Sequence, residues 1–351
     1  MRGIVFLGDR ELEIRDFPDP TPGPGEVVLQ MKASGMCGSD LHPYRASRKG
    51  GGAAASLGLG GQGGPVIGGH EPCGVVAARG AGVSEAEAPI GQRVMQHHYK
   101  GCGLCKHCRV GWSQLCPNGI VVYGMTGHGG HAPYMKAPAF TLVPLPDEIS
   151  FEEGAAISCG TGTAYGALRR LNTSGRDTLA VFGQGPVGLS ATMLGAAMGA
   201  RVIAVDIAPE RLKLARDFGA DAVINSKETD PIAALKQLTH GEGVDAAMDC
   251  SGHPDARAAA VRSTRTWGQV CFVGEGGQVT LDVSPDMLRR QLTIIASWTF
   301  SAMGQAECAR FIADRKVPLK RLLTHRFKLD EAADAYRLFD TQTTGKGVFV
   351  F

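Results

Sequence analysis

Residues Thr178-Leu179-Ala180-Val181-Phe182 form an apolar run that breaks at Gly183-Gln184-Gly185-Pro186-Val187-Gly188. An apolar strand that stops at a glycine turn and restarts as a helix is half of a βαβ unit, which confines the chain to a layered α/β architecture. Alone the glycine pattern is weak. Here a second apolar strand, Val202 to Val205, follows the helix and ends at Asp206, 18 residues beyond Gly188. In that context Gly183 permits the turn, Gly185 lets the backbone approach a pyrophosphate, and Gly188 lets helix and sheet pack closely. The helix opening at Pro186-Val187 turns its N–H groups and positive dipole end toward the phosphates. Asp206 is placed to accept hydrogen bonds from the adenosine ribose hydroxyls. A 2′-phosphate would face its carboxylate, so the expected cofactor is NAD rather than NADP. A glycine turn that merely packs is the competing reading.

Around this unit the pattern repeats. Strand candidates at Leu179 to Phe182, Val202 to Val205, Ala222 to Ile224, Val244 to Met248, Val270 to Val273 and Leu292 to Ile295 are mostly separated by helical stretches such as Pro209 to Phe218. Six such strands make two βαβαβ halves of a doubly wound parallel sheet. The first ~145 residues read differently, as short β patterns and turns: Val27 to Ala33, Gly74 to Ala78 and Arg93 to Gln96. The tail reads as a helix, Glu331 to Phe339, then a strand, Gly347 to Phe351, able to return to the first domain. A length of 351 residues fits two domains. Gly50 to Gly64 holds eight glycines and no aromatic, and is expected as a mobile surface loop, an entrance flap or an intersubunit contact.

The net charge of +2 is spread along the chain, with no Lys/Arg run longer than two, which argues against nucleic acid or an anionic membrane as partner. No apolar stretch approaches ~20 residues, and the first residues, M-R-G-I-V-F-L-G-D-R, do not read as a signal peptide. Ten cysteines without a secretion signal fit a reducing cytoplasm.

Four of those cysteines, Cys102, Cys105, Cys108 and Cys116, lie at spacings of 3, 3 and 8 within the segment 101–117. Such a loop suits one tetrahedral Zn²⁺ held by four thiolates, a closed and therefore structural site. A disulfide scaffold is the rival, and nothing in the sequence supports secretion. Of the other six, Cys37 lies in C-G-S-D-L-H and Cys159 in S-C-G-T-G-T-A-Y, with Gly69-His70-Glu71 between them. Two thiolates, one imidazole and a water give zinc the open fourth position that catalysis needs. Two thiolates also cancel the 2+ of the ion, so an anionic substrate oxygen adds little buried net charge. Spacing alone leaves core cysteines and a satisfied core histidine as alternatives.

Taken together, C-G-S-D-L-H, G-G-H-E, the four-cysteine lobe, S-C-G-T-G-T-A-Y-G-A-L and G-Q-G-P-V-G resemble, in that order, the zinc-containing medium-chain alcohol dehydrogenases. The resemblance implies a GroES-like β-rich catalytic domain (1–150 and 296–351) around an inserted Rossmann domain (151–295). It implies that Cys37, His70 and Cys159 hold a catalytic zinc and that Cys102, Cys105, Cys108 and Cys116 hold a structural one, two Zn²⁺ per subunit. Glu71 matches the acid beside the ligand histidine, in its outer shell or swinging onto the metal. Ser39 and His42 match a proton relay, Asp206 and Arg211 the adenosine ribose contacts, and Thr163 lies near the nicotinamide. The implied reaction passes an alcohol proton to Ser39, then by way of the cofactor ribose to His42 and solvent. The carbinol hydride moves to NAD in a cleft between the domains. The resemblance also implies a homo-oligomer, with a tetramer rather than a dimer expected for this length.

Cysteine at position 159 favours simple primary or secondary alcohols, since the sorbitol-type branch tends to carry another residue there. A polyol or amino-alcohol dehydrogenase is the alternative, and His98, four before Cys102, is a candidate contact for a polar substrate. A zinc-free quinone or enone reductase on the same fold, and a zinc-lobe binding module for nucleic acid or protein, are the remaining rivals.

Overall fold

The computed structural model describes residues 1–48 and 64–351. All of the Gly50 to Gly64 segment except Gly64 lies outside the described residues, and with it the expected loop. The chain forms two compact units: Met1–Cys159 with Ser301–Gln342 and Lys346–Phe351, and Gly160–Phe300 with Thr343–Gly345.

The second unit is built on six parallel strands. Their order across the sheet is Ala222–Asn225, Arg201–Asp206, Thr178–Phe182, Val244–Asp249, Thr264–Phe272 and Thr293–Ala296. Numbered along the chain this is third, second, first, fourth, fifth, sixth, the doubly wound arrangement. The direction of winding reverses between Thr178–Phe182 and Val244–Asp249, and ligands bind at the carboxyl ends of strands at such a point. The central strands are near-continuous apolar runs because helices cover both faces. Phe182, Ile203, Val205, Ala247 and Val270 are buried with Leu235 and Val261 from the flanking helices. Burying each large aliphatic or aromatic side chain stabilises the unit by about 1.5–3 kcal/mol.

The first unit carries a seven-stranded sheet. Its path runs Leu323–Phe327, Lys346–Val350, Glu26–Gly35, Glu71–Arg79, Arg93–Gln96 and Leu142–Pro144, with Tyr134–Pro138 also paired to Glu26–Gly35. The tail therefore does rejoin the first domain. Its register sets Gly35 opposite Glu71 on one side and Val348 on the other. Three strand ends thus meet where residues 37, 71 and 346 lie. Behind them a cluster of Ile4, Met36, Tyr44, Tyr336, Phe339 and Phe349 fills the space between the sheet and the helix Ala332–Asp340.

Two segments fall on the other side of the domain boundary from the one their periodicity suggests. The helix Phe151–Ala156, expected with the nucleotide-binding half, packs on Glu26–Gly35 and Glu71–Arg79 in the first unit. Ala155 and Ala156 are fully buried, and a Cβ on Gly154 would stand 2.5 Å from Cys73 Sγ. That close seat is a tertiary fit which helical periodicity does not encode. Residues 296–300, expected with the catalytic domain, stay with the second unit, because they continue from its edge strand Thr293–Ala296.

Candidate metal centres and dinucleotide site

Cys102, Cys105, Cys108 and Cys116 bring their sulfurs within 4.8 Å of one another. Cys105 and Cys116 are 3.9 Å apart, against about 3.8 Å for thiolates on a tetrahedral ion with 2.3 Å bonds. Backbone N–H groups of Leu104 and Cys105 (3.5 and 3.3 Å) and the Asn118 amide (3.4 Å) point at Cys102 Sγ. These donors, the Leu104 N–H first, lower its thiol to about 6 and favour the thiolate that a metal requires. Burial instead pushes Cys108 up to about 12, a proton that a cation would have to displace. Gly101 makes room for the knuckle, since a Cβ there would lie 2.5 Å from Cys108 Sγ.

A second cluster joins Cys37, His70, Glu71 and Cys159, all buried, with donor atoms again within 4.8 Å. Cys37 follows the strand Glu26–Gly35, His70 immediately precedes its neighbour and Glu71 opens that neighbour. Cys159 sits on a one-turn π-helical widening, Ile157–Thr161, a local irregularity that often marks a functional position. Cys37 Sγ and Cys159 Sγ are 3.9 Å apart. Their mutual hydrogen bond lowers Cys37 well below the ordinary thiol range and raises Cys159 well above it, so the pair shares one proton. His70 Nδ1 lies 2.8 Å from Asp40 Oδ1, leaving Nε2 turned to the sulfurs. Burial opposes charge on His70, but Asp40 and Cys37 outweigh it and raise the imidazole well above its usual value. Ser39 Oγ is 3.4 Å from both Cys37 Sγ and His70 Nε2. His42, one helical step on, is exposed.

Glu71 is pushed up to about 8, by burial first, against the pull of a fully buried Lys346. Lys346 Nζ lies 2.7 and 2.5 Å from the two Glu71 oxygens and donates to Met36 O at 3.1 Å.

In the second unit Gly183 has φ +85°, a left-handed conformation that disfavours any side chain. A Cβ on Gly188 would lie 1.7 Å from Gly183 O, whereas at Gly185 it would meet nothing within 4 Å. That open space, at the start of a helix without a side-chain cap (Pro186–Ala197), is the cradle a pyrophosphate fits. Asp206 ends its strand and accepts from Ile207 N and Ala208 N (2.7 and 2.9 Å) and from Gln184 N. Arg211 is half-buried near Asp206, and its Nε has no hydrogen-bond partner among the described residues. Burial lowers its guanidinium and Asp206 counteracts. An orphaned donor beside an anchored carboxylate fits a ribose bearing adjacent hydroxyls. Thr163, on the helix Gly162–Arg170, is buried.

The alcohol dehydrogenase GroES-like domain pattern matches residues 23–147, and the zinc-binding dehydrogenase pattern matches residues 186–314. The uncharacterized zinc-type alcohol dehydrogenase-like protein YphC of Escherichia coli K12 is 41% identical over 100% of this chain and 99% of its own. The sorbitol dehydrogenase of Bacillus subtilis strain 168 is 32% identical over 95% and 92%. Among solved structures, the alcohol dehydrogenase TADH from Thermus sp. ATN1 superimposes with a TM-score of 0.87 at 28% identity, covering 100% and 99%. The chain belongs to the zinc-containing medium-chain alcohol dehydrogenases.

For this dehydrogenase the structure brings Cys37, Ser39, His70, Glu71 and Cys159 together, and separately the four lobe cysteines. Sequence reasoning missed Asp40 and Lys346, which brace His70 and Glu71. Asp40 had a signal in its place three after Cys37. Lys346 had one as a charge at the head of the apolar strand Lys346–Val350. The two glycines make a paired prediction. Gly188→Ala should cost about 1–3 kcal/mol of stability through overpacking. Gly185→Ala should leave the melting temperature unchanged while NADH affinity, by fluorescence titration, falls about 10–100-fold as phosphate hydrogen bonds are lost.

Proposed function

We propose that this dehydrogenase oxidises a primary or secondary alcohol to its carbonyl partner with NAD, holding two zinc ions per chain. Cys37, His70 and Cys159 hold the catalytic zinc, and Cys102, Cys105, Cys108 and Cys116 the structural one. The convergence of two thiols and an imidazole from residues 37, 70 and 159 carries the reading. It supplies three protein donors and keeps Glu71 engaged by Lys346. A zinc bound there supplies Lewis acidity, making a hydroxyl proton easy to remove near neutral pH. Ser39 takes that proton, and the exposed His42 passes it on to solvent. Gly183, Gly185, Pro186, Val187 and Gly188 seat the pyrophosphate, Asp206 and Arg211 the adenosine ribose, and Thr163 flanks the nicotinamide. Ten cysteines, none in a disulfide among the described residues, support a reducing, cytoplasmic setting, and the family resemblance supports a homo-oligomer, taken as a tetramer. No helix among the described residues is long and apolar enough to cross a membrane.

Polyol oxidation is the second reading. His98 favours it. Its ring lies 5.2 Å from that of His70, and its Nδ1 is 2.9 Å from Ser158 O. Nδ1–H therefore donates to that carbonyl, and burial holds the imidazole well below its usual pKa. A polar ring beside the reacting centre suits a substrate with more than one hydroxyl, and the Bacillus subtilis relative is a sorbitol dehydrogenase.

A panel of simple alcohols, polyols and amino alcohols, read by NADH absorbance with zinc quantified per chain, separates the two. Against the best substrate, NAD should exceed NADP in kcat/KM by at least ~100-fold, because placing a 2′-phosphate against a carboxylate costs several kcal/mol. Asp206→Asn should narrow that ratio by about tenfold or more. A preference for NADP in the unaltered enzyme would remove Asp206 from this role.

A further inference from the structure

Behind His70 a line of buried polar groups runs away from the metal cluster through the core of the first unit. Tyr336 donates its hydroxyl to Asp40 Oδ2 at 3.1 Å, the same oxygen that accepts from Cys37 N at 2.8 Å. His131 Nε2 lies 2.7 Å from the Tyr336 oxygen, and its Nδ1 lies 2.8 Å from Ser34 Oγ. Ser34, Asp40, His131 and Tyr336 are each fully buried.

A proton count fixes every direction. The single phenol hydrogen goes to Asp40, so the phenol oxygen must accept from His131 Nε2–H. A neutral His131 then has its lone pair on Nδ1, which can only accept from the Ser34 hydroxyl. Burial holds His131 down to about 4 and raises Tyr336 well above its ordinary value, so both keep these states across the neutral range. All the hydrogens point one way, toward Asp40, whose other oxygen faces His70 Nδ1 at 2.8 Å. Bonds aligned head to tail polarise one another.

The surroundings leave the line little freedom. The Tyr336 ring is gripped by Phe6 and Tyr44, with centroids 4.8 and 5.6 Å away, and His131 by Phe349 at 4.7 Å. Backbone bonds also hold His131, from Ile4 N to its carbonyl (3.1 Å) and from its own N–H to Gly68 O (3.0 Å). Gly69 is required there, because a Cβ would stand 2.3 Å from His131 Nδ1.

We propose that Ser34, His131 and Tyr336 form a polarised hydrogen-bond wire that fixes Asp40, and through it the Nδ1-protonated tautomer of His70, and so sets how firmly the catalytic zinc is held. Tyr336 and His131 are positioning residues in this scheme. An outer-shell carboxylate that is itself anchored keeps the ligand imidazole oriented and its Nε2 basic. The inference rests on Cys37, His70 and Cys159 being zinc ligands, so the experiment first counts zinc in the unaltered holoenzyme: one per chain would remove that reading itself.

With two zincs per chain established, release of each to a chelator is timed in Tyr336→Phe and in Ser34→Ala. Tyr336→Phe should release one zinc about 10–100-fold faster, the range for loss of an outer-shell partner. The second zinc, in the four-cysteine lobe, should keep its unaltered rate and serves as the internal control for folding. Ser34→Ala, which only deletes the hydroxyl at the far end, should shift the same zinc in the same direction by a smaller factor. With cobalt in the catalytic site, the visible ligand-field bands of Tyr336→Phe should move, which packing alone would not cause. Release rates unchanged in both variants, or bands that stay in place, overturn the wire.

Discussion

Cys37→Ser is expected to leave one zinc per chain instead of two and to lower alcohol oxidation by at least about 10³-fold. Cys37 is one of two sulfurs 3.9 Å apart in a fully buried cluster, and it is the one held as thiolate by its partner thiol. A serine hydroxyl neither ionises near neutral pH nor reaches as far as sulfur, so three donors become two. The lost Lewis acidity is worth several kcal/mol in the transition state, and each 1.36 kcal/mol is a factor of ten. The lobe cysteines belong to another segment with its own N–H donors and should keep their ion. NADH affinity should also stay within a factor of two or so, roughly experimental scatter, because Gly185 and Asp206 belong to the other unit. Zinc analysis, kcat/KM and NADH titration on one preparation make the test. Activity within tenfold of the unaltered enzyme would bring back the zinc-free reductase reading.

How much of this was legible in the sequence depends on distance along the chain. The glycine turn, its helix and Asp206 lie within one βαβ unit, where spacing alone dictates contact, and all three stand where expected. The four lobe cysteines are equally local. Cys37, His70 and Cys159 are far apart, and spacing left them ambiguous between ligands and core residues. The resemblance supplied their grouping, and the register of Gly35 with Glu71 supplies its physical cause. The helix Phe151–Ala156 was misassigned because alternation of helix and strand says nothing about which sheet a small-residue face seats on. Asp40, His131, Tyr336 and Lys346 were beyond reach for a related reason: each matters through a partner that only the fold brings near. His131 and Tyr336 are 205 positions apart, Lys346 and Glu71 275. A polar residue in an apolar pattern is the one local trace such pairs leave, and it names no partner.

Lys346→Met should destabilise the protein by about 3–5 kcal/mol, the range for removing one partner of a buried ion pair. Neither Lys346 nor Glu71 has measurable solvent exposure, and the ammonium contacts both carboxylate oxygens as well as Met36 O. Methionine fills a similar volume but offers no proton, so Glu71 is left with burial and the neighbouring Cys37 charge, both of which disfavour its ionised form. With Lys346 present that carboxyl is already pushed up to about 8; without it the group must enter the fold protonated. The melting temperature should fall on the order of 10 °C, at roughly 2–4 °C per kcal/mol for a domain of this size. Combining Lys346→Met with Glu71→Gln removes the cost of protonating a buried acid and should recover about 2 kcal/mol of the loss, so the pair is non-additive. Simple packing loss at position 346 predicts the opposite, a double variant at least as unstable as the single one. Calorimetry on the four members of the cycle, with zinc content checked in each, decides between them.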